Sequence, residues 1–223
     1  MTNFKYIDRG YKQDLVLLPG WATDCRIFDY IDLPYNYVLP VEFDISDFQS
    51  EFLSFLESNG LNKVSILGYS LGGFVAAEFA AKYADKIEAL FLISIRSQYD
   101  PLQIKLIKRY INKNKKLYLQ NFYKSCFSDD KVFEKYQQLL FDDYCENLGE
   151  EELLRGLDYL SAAKIEPETL NSIGNIKIIH GVLDKIAPVN ESGGIADDLP
   201  NAEFLEVSNS GHMVFLEEPS ILC

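Results

Sequence analysis

The chain has 223 residues, with 21 basic against 34 acidic side chains and a formal net charge of -13. Hydrophobic residues make up 48 %, including 14 Tyr and 15 Phe, which excludes intrinsic disorder because disorder requires few apolar and aromatic groups. The negative total argues against nonspecific nucleic-acid binding, since phosphates repel an acidic surface.

The length suits one domain, or one domain with an insertion, and is ample to bury a core without disulfide staples. Residues 1–11 are polar and mixed in charge and lack the apolar stretch of a secretory signal. No segment approaches the ~20 apolar residues of a membrane span. Cys25, Cys126, Cys145 and Cys223 are widely scattered. Without a signal they read as free thiols in a reducing cytoplasm. Two histidines, His180 and His212, and the lack of a C-x-x-C pair argue against a zinc site.

Short apolar runs alternate with helical patterns along the chain. Strands are predicted at 14–18, ended by Pro19-Gly20, and at 37–41. Phe48, Phe52, Phe55 and Leu56 recur at helical spacing, and Asn59-Gly60 closes that helix. A third strand at 64–67 leads into an alanine-rich helix over 71–83, followed by strands at 87–95, 176–179 and 204–207. Such alternation implies βαβ units and an α/β architecture, a mostly parallel, doubly wound sheet covered on both faces. It stops over 96–165, where four helices are predicted, at 101–111, 115–126, 131–141 and 150–162. The expected organisation is a core of 1–95 and 166–223 interrupted by a helical cap at 96–165.

The third strand runs directly into Gly68-Tyr69-Ser70-Leu71-Gly72-Gly73, and a helix follows. A sharp strand-to-helix turn there would expose the Ser70 hydroxyl above the sheet. Side chains two residues to either side would collide with neighbouring backbone, which calls for glycine. A hydroxyl is a poor nucleophile at neutral pH and needs a base. His212, in a loop after the last strand, is the candidate. His180, at the end of the fifth strand, reads as a packed residue bonded to backbone. Asp184, Glu206 and Asp158 are the candidate acids. Asp184 is preferred because it lies just beyond the carboxyl end of a parallel strand, where α/β sheets place their sites. It would fix the tautomer of His212 and stabilise the imidazolium. Acyl transfer builds charge on a carbonyl oxygen, and backbone amides would hold it. Leu71, directly after the serine, supplies one. Trp21, after Pro19-Gly20, is the candidate for the second, and its indole for a wall of the acyl pocket.

With these residues in place, the chain resembles the α/β-hydrolase superfamily from Leu15 onward. The likeness rests on Pro-Gly-Trp at 19–21, the Ser70 turn, His-Gly-Val-Leu-Asp at 180–184 and Ser-Gly-His at 210–212. In that superfamily the order is serine, acid, histidine, which Ser70, Asp184 and His212 follow. Leu-Leu-Pro-Gly-Trp-Ala at 17–22 and the short helical cap are most similar to biotin-synthesis carboxylesterases that hydrolyse the methyl ester of pimeloyl-acyl carrier protein. The resemblance implies a cytoplasmic serine esterase acting on a short or medium acyl ester, with no cofactor or metal. Proline stands at 19, where histidine is common in such enzymes, and only eleven residues follow His212.

One charge pattern stands apart. Residues 101–128 hold seven basic residues and no acid. Lys105, Lys108, Arg109, Asn112 and Lys116 recur at helical spacing, opposite Ile104, Ile107 and Ile111. The face reads either as solvated surface or as a docking site for an acidic partner such as acyl carrier protein. Two other functions compete with the esterase: a C–C bond hydrolase or a lyase of menaquinone-pathway type using the same three residues, and a non-catalytic ligand receptor.

Overall fold

The computed structural model describes residues 2–222, so the expectation of a free thiol at Cys223 lies outside the described residues. Among these residues, strands at Asn3–Ile7 (β1), Asp14–Leu18 (β2), Asn36–Glu42 (β3), Val64–Tyr69 (β4), Ile87–Ile93 (β5), Ile176–Gly181 (β6) and Ala202–Val207 (β7) form one sheet, in the order β1-β3-β2-β4-β5-β6-β7. β1 pairs antiparallel with β3, and every other neighbouring pair is parallel. Leu15 to Leu18 of β2 and every residue of β4 are buried. Burial at consecutive positions requires cover on both faces of the sheet, as parallel strands need. This is the α/β-hydrolase fold.

β1 departs from the sequence reading, which left 1–11 as a polar segment. Its Asn-Phe-Lys-Tyr-Ile lies at the sheet edge, where Phe4 and Ile7 are half-buried against the core and Asn3, Lys5 and Tyr6 are exposed. There Phe4 packs against Phe48, Phe52 and Phe55, with ring centroids 5.9, 5.4 and 5.1 Å away. Those three side chains belong to Phe48–Ser58 (α1).

Leu71–Lys82 (α2) is buried at nine positions and begins against the ends of the central strands. A Cβ on Gly72 would lie 2.3 Å from the Leu18 carbonyl oxygen, so only glycine lets the first turn approach β2 this closely. After β5, the helical segment comprises Pro101–Ser125 (α3), Asp130–Tyr136 (α4), Asp142–Asn147 (α5) and Glu150–Ala162 (α6). The two helices predicted at 101–111 and 115–126 are the halves of α3. They part at Asn114, whose backbone is extended (φ -164, ψ 87). Its side-chain oxygen accepts a hydrogen bond from the Leu117 amide at 3.0 Å, capping the second half. The helix predicted at 131–141 divides into α4 and a π-helical turn, Gln137–Phe141.

The segment is joined to the core at both ends. At its base Gln98 and Lys164 form an antiparallel bridge, and the Ile165 amide donates to the Ser97 carbonyl at 2.9 Å. Ile104, Ile111, Leu119 and Tyr123 face inward from α3. Burial of each such aliphatic side chain contributes roughly 1.5–3 kcal/mol. The Tyr123 ring stacks on Phe141 at 4.6 Å, and its hydroxyl donates to the Ala22 carbonyl at 2.5 Å. That bond ties α3 to the loop after β2.

Two further helices, Val189–Asp197 (α7) and Val214–Glu217 (α8), follow β6 and β7. Among the described residues no helix is long and apolar enough to cross a membrane, and Cys25, Cys126 and Cys145 are free.

Candidate active site

Ser70 sits between β4 and α2 with φ 50 and ψ -113, a conformation that costs an L-residue about 1–3 kcal/mol. Two hydrogen bonds hold it there. Its amide donates to the Ile93 carbonyl at 2.9 Å, and its carbonyl accepts from the Gly73 amide at 2.9 Å. The other non-glycine residues with positive φ among those described are Ala22 (59°), shortly after β2, and Ser94 (52°), directly after β5. Strained backbone therefore collects at the carboxyl ends of the three central strands.

The structure brings Ser70, His212 and Asp184 together. His212 Nε2 lies 3.0 Å from Ser70 Oγ, and His212 Nδ1 lies 2.7 Å from Asp184 Oδ2. A carboxylate only accepts, so Nδ1 carries the proton and Nε2 is left to accept from the serine hydroxyl. The ensemble is nearly closed to water, with Ser70 6 % and His212 1 % exposed. Glu206 is exposed on β7, and Asp158 on α6 pairs with Lys108, so neither meets His212.

Asp184 is held by four N–H groups. Its Oδ1 accepts from the Ile186 and Ala187 amides at 2.7 and 2.9 Å. Its Oδ2 faces both His212 and, at 3.0 Å, Nε2 of His180. Burial is the largest influence on this carboxyl and acts to raise its pKa. The charge of His212 and hydrogen bonds from both imidazoles outweigh it and hold the group well below the usual carboxylate range.

The His212 loop is pinned by groups with no sequence signal. The His212 and Met213 amides both donate to the Cys126 carbonyl, at 2.7 and 3.2 Å. Ser94 Oγ donates to the His212 carbonyl at 2.6 Å. The Glu217 carboxylate accepts from the Ser128 amide at 2.7 Å and the Gly211 amide at 2.5 Å, joining the helical segment to this loop. Ser94 and Glu217 were not singled out from sequence because each acts through a contact made only by folding.

Among the described residues, neither the Leu71 nor the Trp21 backbone amide is donated to a protein acceptor. Both residues line a cleft of about 730 Å³ that also meets Gly20, Leu153, Gly156 and Tyr159. The cleft meets the nucleophile turn at Leu71, and neither Ser70 nor His212 lines it. The Trp21 indole is 8 % exposed, donates to the Leu153 carbonyl at 2.9 Å and meets Phe122 edge-on at 5.0 Å. It thus both walls the cleft and fastens α6 over it. A Cβ on Gly156 would come within 2.8 Å of the indole, which explains glycine in mid-helix.

The basic face is smaller than the sequence suggests. Lys108 pairs with Asp158 of α6, and Lys116 with Glu146 of α5. Lys105 and Arg109 stay exposed without a carboxylate partner among the described residues. The paired acids lie 50 and 30 residues downstream, outside the acid-free stretch.

Comparison with known proteins agrees with the geometry. Residues 22–132 match the family model for the alpha/beta hydrolase fold. The putative carbamate hydrolase RutD of Pseudomonas savastanoi pv. phaseolicola is 24 % identical over 217 residues, covering 89 % of this chain and 83 % of that protein. A pimeloyl-[acyl-carrier protein] methyl ester esterase of a Shewanella species is 30 % identical over 99 residues, 39 % of this chain and 36 % of its own. Among solved structures, an esterase from Exiguobacterium antarcticum superposes with a TM-score of 0.86 at 18 % identity, covering 99 % of this chain and 92 % of that one. The enol-lactonase from Burkholderia xenovorans LB400 gives 0.84 at 15 %, covering 99 % and 94 %. The strand order, the turn at Ser70 and these relatives together identify the chain as a member of the α/β-hydrolase superfamily.

Proposed function

We propose that this chain is a cytoplasmic serine hydrolase that cleaves a short or medium acyl ester. The observation that carries this reading is the unbroken path from Ser70 Oγ through His212 to Asp184, beside two backbone amides without protein acceptors. Ser70 attacks the ester carbonyl as His212 Nε2 takes its proton. The oxyanion forms between the Leu71 and Trp21 amides, where one such donor contributes about 3 kcal/mol. His212 then protonates the leaving alcohol. Water, activated by the same imidazole, releases the acid from the acyl-enzyme. Asp184 holds the imidazole in the required tautomer and stabilises its charged form.

The segment 96–165 acts in this reading as a cap that roofs the cleft and sets specificity. Of the acids that line the cleft, Asp24 and Asp158 are paired with Arg26 and Lys108, and Glu42 and Glu152 share the lining with Arg155. A methyl ester of pimeloyl-acyl carrier protein is one acyl ester of this class. Lys105 and Arg109, together with the already paired Lys108 and Lys116, would form the docking face for the carrier. Carbamate cleavage is the second reading, favoured by a likeness to RutD proteins that spans 89 % of the chain.

The test is turnover of p-nitrophenyl acyl esters of increasing length by the full chain, with aryl carbamates in parallel. The expected result is hydrolysis that peaks at a short or medium acyl chain and is abolished in Ser70→Ala. Equal background turnover by both proteins would refute a serine hydrolase and favour a ligand receptor. Faster turnover of carbamates than of esters would transfer the assignment to the second reading.

A further inference from the structure

His180 has no part in the mechanism just described, yet it is fully buried beside the same carboxylate. We propose that His180 is a second imidazole on Asp184, carrying protons on both ring nitrogens, that positions the carboxylate for His212. The catalytic half of this proposal rests on the reading of Ser70, His212 and Asp184 given above. The proton count does not.

The count follows from which neighbours can donate. Nε2 of His180 faces the Ala187 carbonyl at 2.8 Å and Asp184 Oδ2 at 3.0 Å. Both are pure acceptors, so Nε2 bears a hydrogen. Nδ1 faces Ser192 Oγ at 2.5 Å. That hydroxyl also lies 2.5 Å from the Ile95 carbonyl oxygen, which can only accept. The single hydroxyl hydrogen therefore belongs to the Ser192–Ile95 bond. Two oxygens so close with no hydrogen between them would repel strongly. What remains for Nδ1 is to donate to the serine oxygen, so His180 is an imidazolium. Its counter-charge is Asp184. A buried cation is tolerated when paired and fully hydrogen-bonded, which these contacts achieve.

Three elements supply this environment. Ala187 and Asp184 lie in the loop after β6, Ser192 lies on α7, and Ile95 follows β5. The ionisable groups that bear on the site are Asp184, His212 through the shared oxygen, and the buried Tyr69, Tyr99 and Cys126 around the carboxylate, whose pKa values, raised by burial, keep them neutral. The Arg96–Glu191 pair, at 2.6 Å, adjoins Ile95 and Ser192 in the chain and is self-neutralised. Lys185 is exposed to solvent. The consequence is positional: His180 holds Asp184 Oδ2 at the point where it accepts from His212 Nδ1.

The experiment is a long-range ¹H–¹⁵N correlation spectrum of the uniformly labelled full chain at neutral pH, without substrate, assigned by a His180→Gln variant. The expected result is two protonated-type ring nitrogens for His180, and one protonated and one bare for His212. A bare ring nitrogen on His180 would overturn the proposal. Because the spectrum is read on the resting protein, its outcome is independent of whether the chain hydrolyses esters. The catalytic half is read in Ser192→Ala, which removes the acceptor for Nδ1–H. Its kcat should fall by on the order of tenfold at an unchanged KM, because the displaced carboxylate no longer aligns the His212 imidazole. A kcat equal to that of the parent would refute the positioning role.

Discussion

Replacing Asp184 by Asn removes one negative charge while leaving the shape of the side chain almost unchanged. The Asn oxygen can still accept from the Ile186 and Ala187 amides, which now stand 2.7 and 2.9 Å from Oδ1. The amide group must then face His212 Nδ1 and His180 Nε2, where Oδ2 accepts at 2.7 and 3.0 Å. Donor meets donor at both contacts. His212 is driven to the tautomer with hydrogen on Nε2, which cannot accept from Ser70. Loss of activity of about 10³–10⁴-fold in kcat is expected, the size seen when such a histidine is held in the wrong tautomer. That corresponds to about 4–5.5 kcal/mol of barrier. Two charge-assisted hydrogen bonds, each contributing about 1.5–3 kcal/mol, are lost with the charge. A net loss of about 3 kcal/mol lowers Tm by roughly 6–12 °C in a chain of this size. The pH dependence has a definite sign. The folded carboxyl lies below its unfolded value of about 3.9, so its stabilisation is complete above that value and is lost as pH falls through the lower folded one. The Tm gap between the parent and Asp184→Asn should thus be widest above about pH 5 and close in strong acid. The assays are ester turnover and calorimetry across pH. A folded Asp184→Asn protein within tenfold of parent activity, or a Tm gap that does not change with pH, would refute the reasoning.

Ser70→Gly relieves the positive φ that serine endures at this turn. It should melt higher than Ser70→Ala by an amount equivalent to about 1–3 kcal/mol, with both variants inactive; equal melting temperatures would show that the turn stores no strain. Charge reversal at Lys105 and Arg109, the exposed cations of α3 without carboxylate partners, should weaken turnover of carrier-linked esters and its salt sensitivity while sparing p-nitrophenyl esters. Equal loss on both substrates would indicate a folding defect instead of a docking face. Burial pushes the Cys126 thiol far above its ordinary value and the Cys145 thiol to about 11. The thiolate is scarce at pH 8, so iodoacetamide should modify these two residues only after denaturation; rapid labelling of the native chain would contradict their burial.

How much of this could be read from sequence depended on whether a feature is local. The turn at Ser70 declares itself because a backbone passing 2.3 Å from where a Cβ would be can only carry glycine, and Gly68 and Gly72 flank the serine. The break in α3 is visible at Asn112 to Asn114, where poor helix formers cluster and one can cap the next turn. β1 escaped because Asn3, Lys5 and Tyr6, exposed at the sheet edge, leave Phe4 and Ile7 without an apolar run to notice. α7 escaped because Gly193 and Gly194 dilute its helical signal and Pro188 reads as loop. The partners of Lys108 and Lys116 are set by how α5 and α6 pack on α3, which no spacing in α3 announces. His180 illustrates the same limit. Its burial and its bond to a backbone carbonyl were legible from a strand-end position, whereas its contact with Asp184 depends on the turn at 181–184 and on Ser192 arriving from α7.

The most direct test of the serine mechanism is covalent trapping. Incubation of the full chain with a fluorophosphonate, followed by peptide mass spectrometry, should place a single adduct per chain on Ser70. The same adduct should form far more slowly in a folded His212→Ala variant. Adduct formation on another residue, or ester turnover that survives complete modification of Ser70, would contradict the assignment.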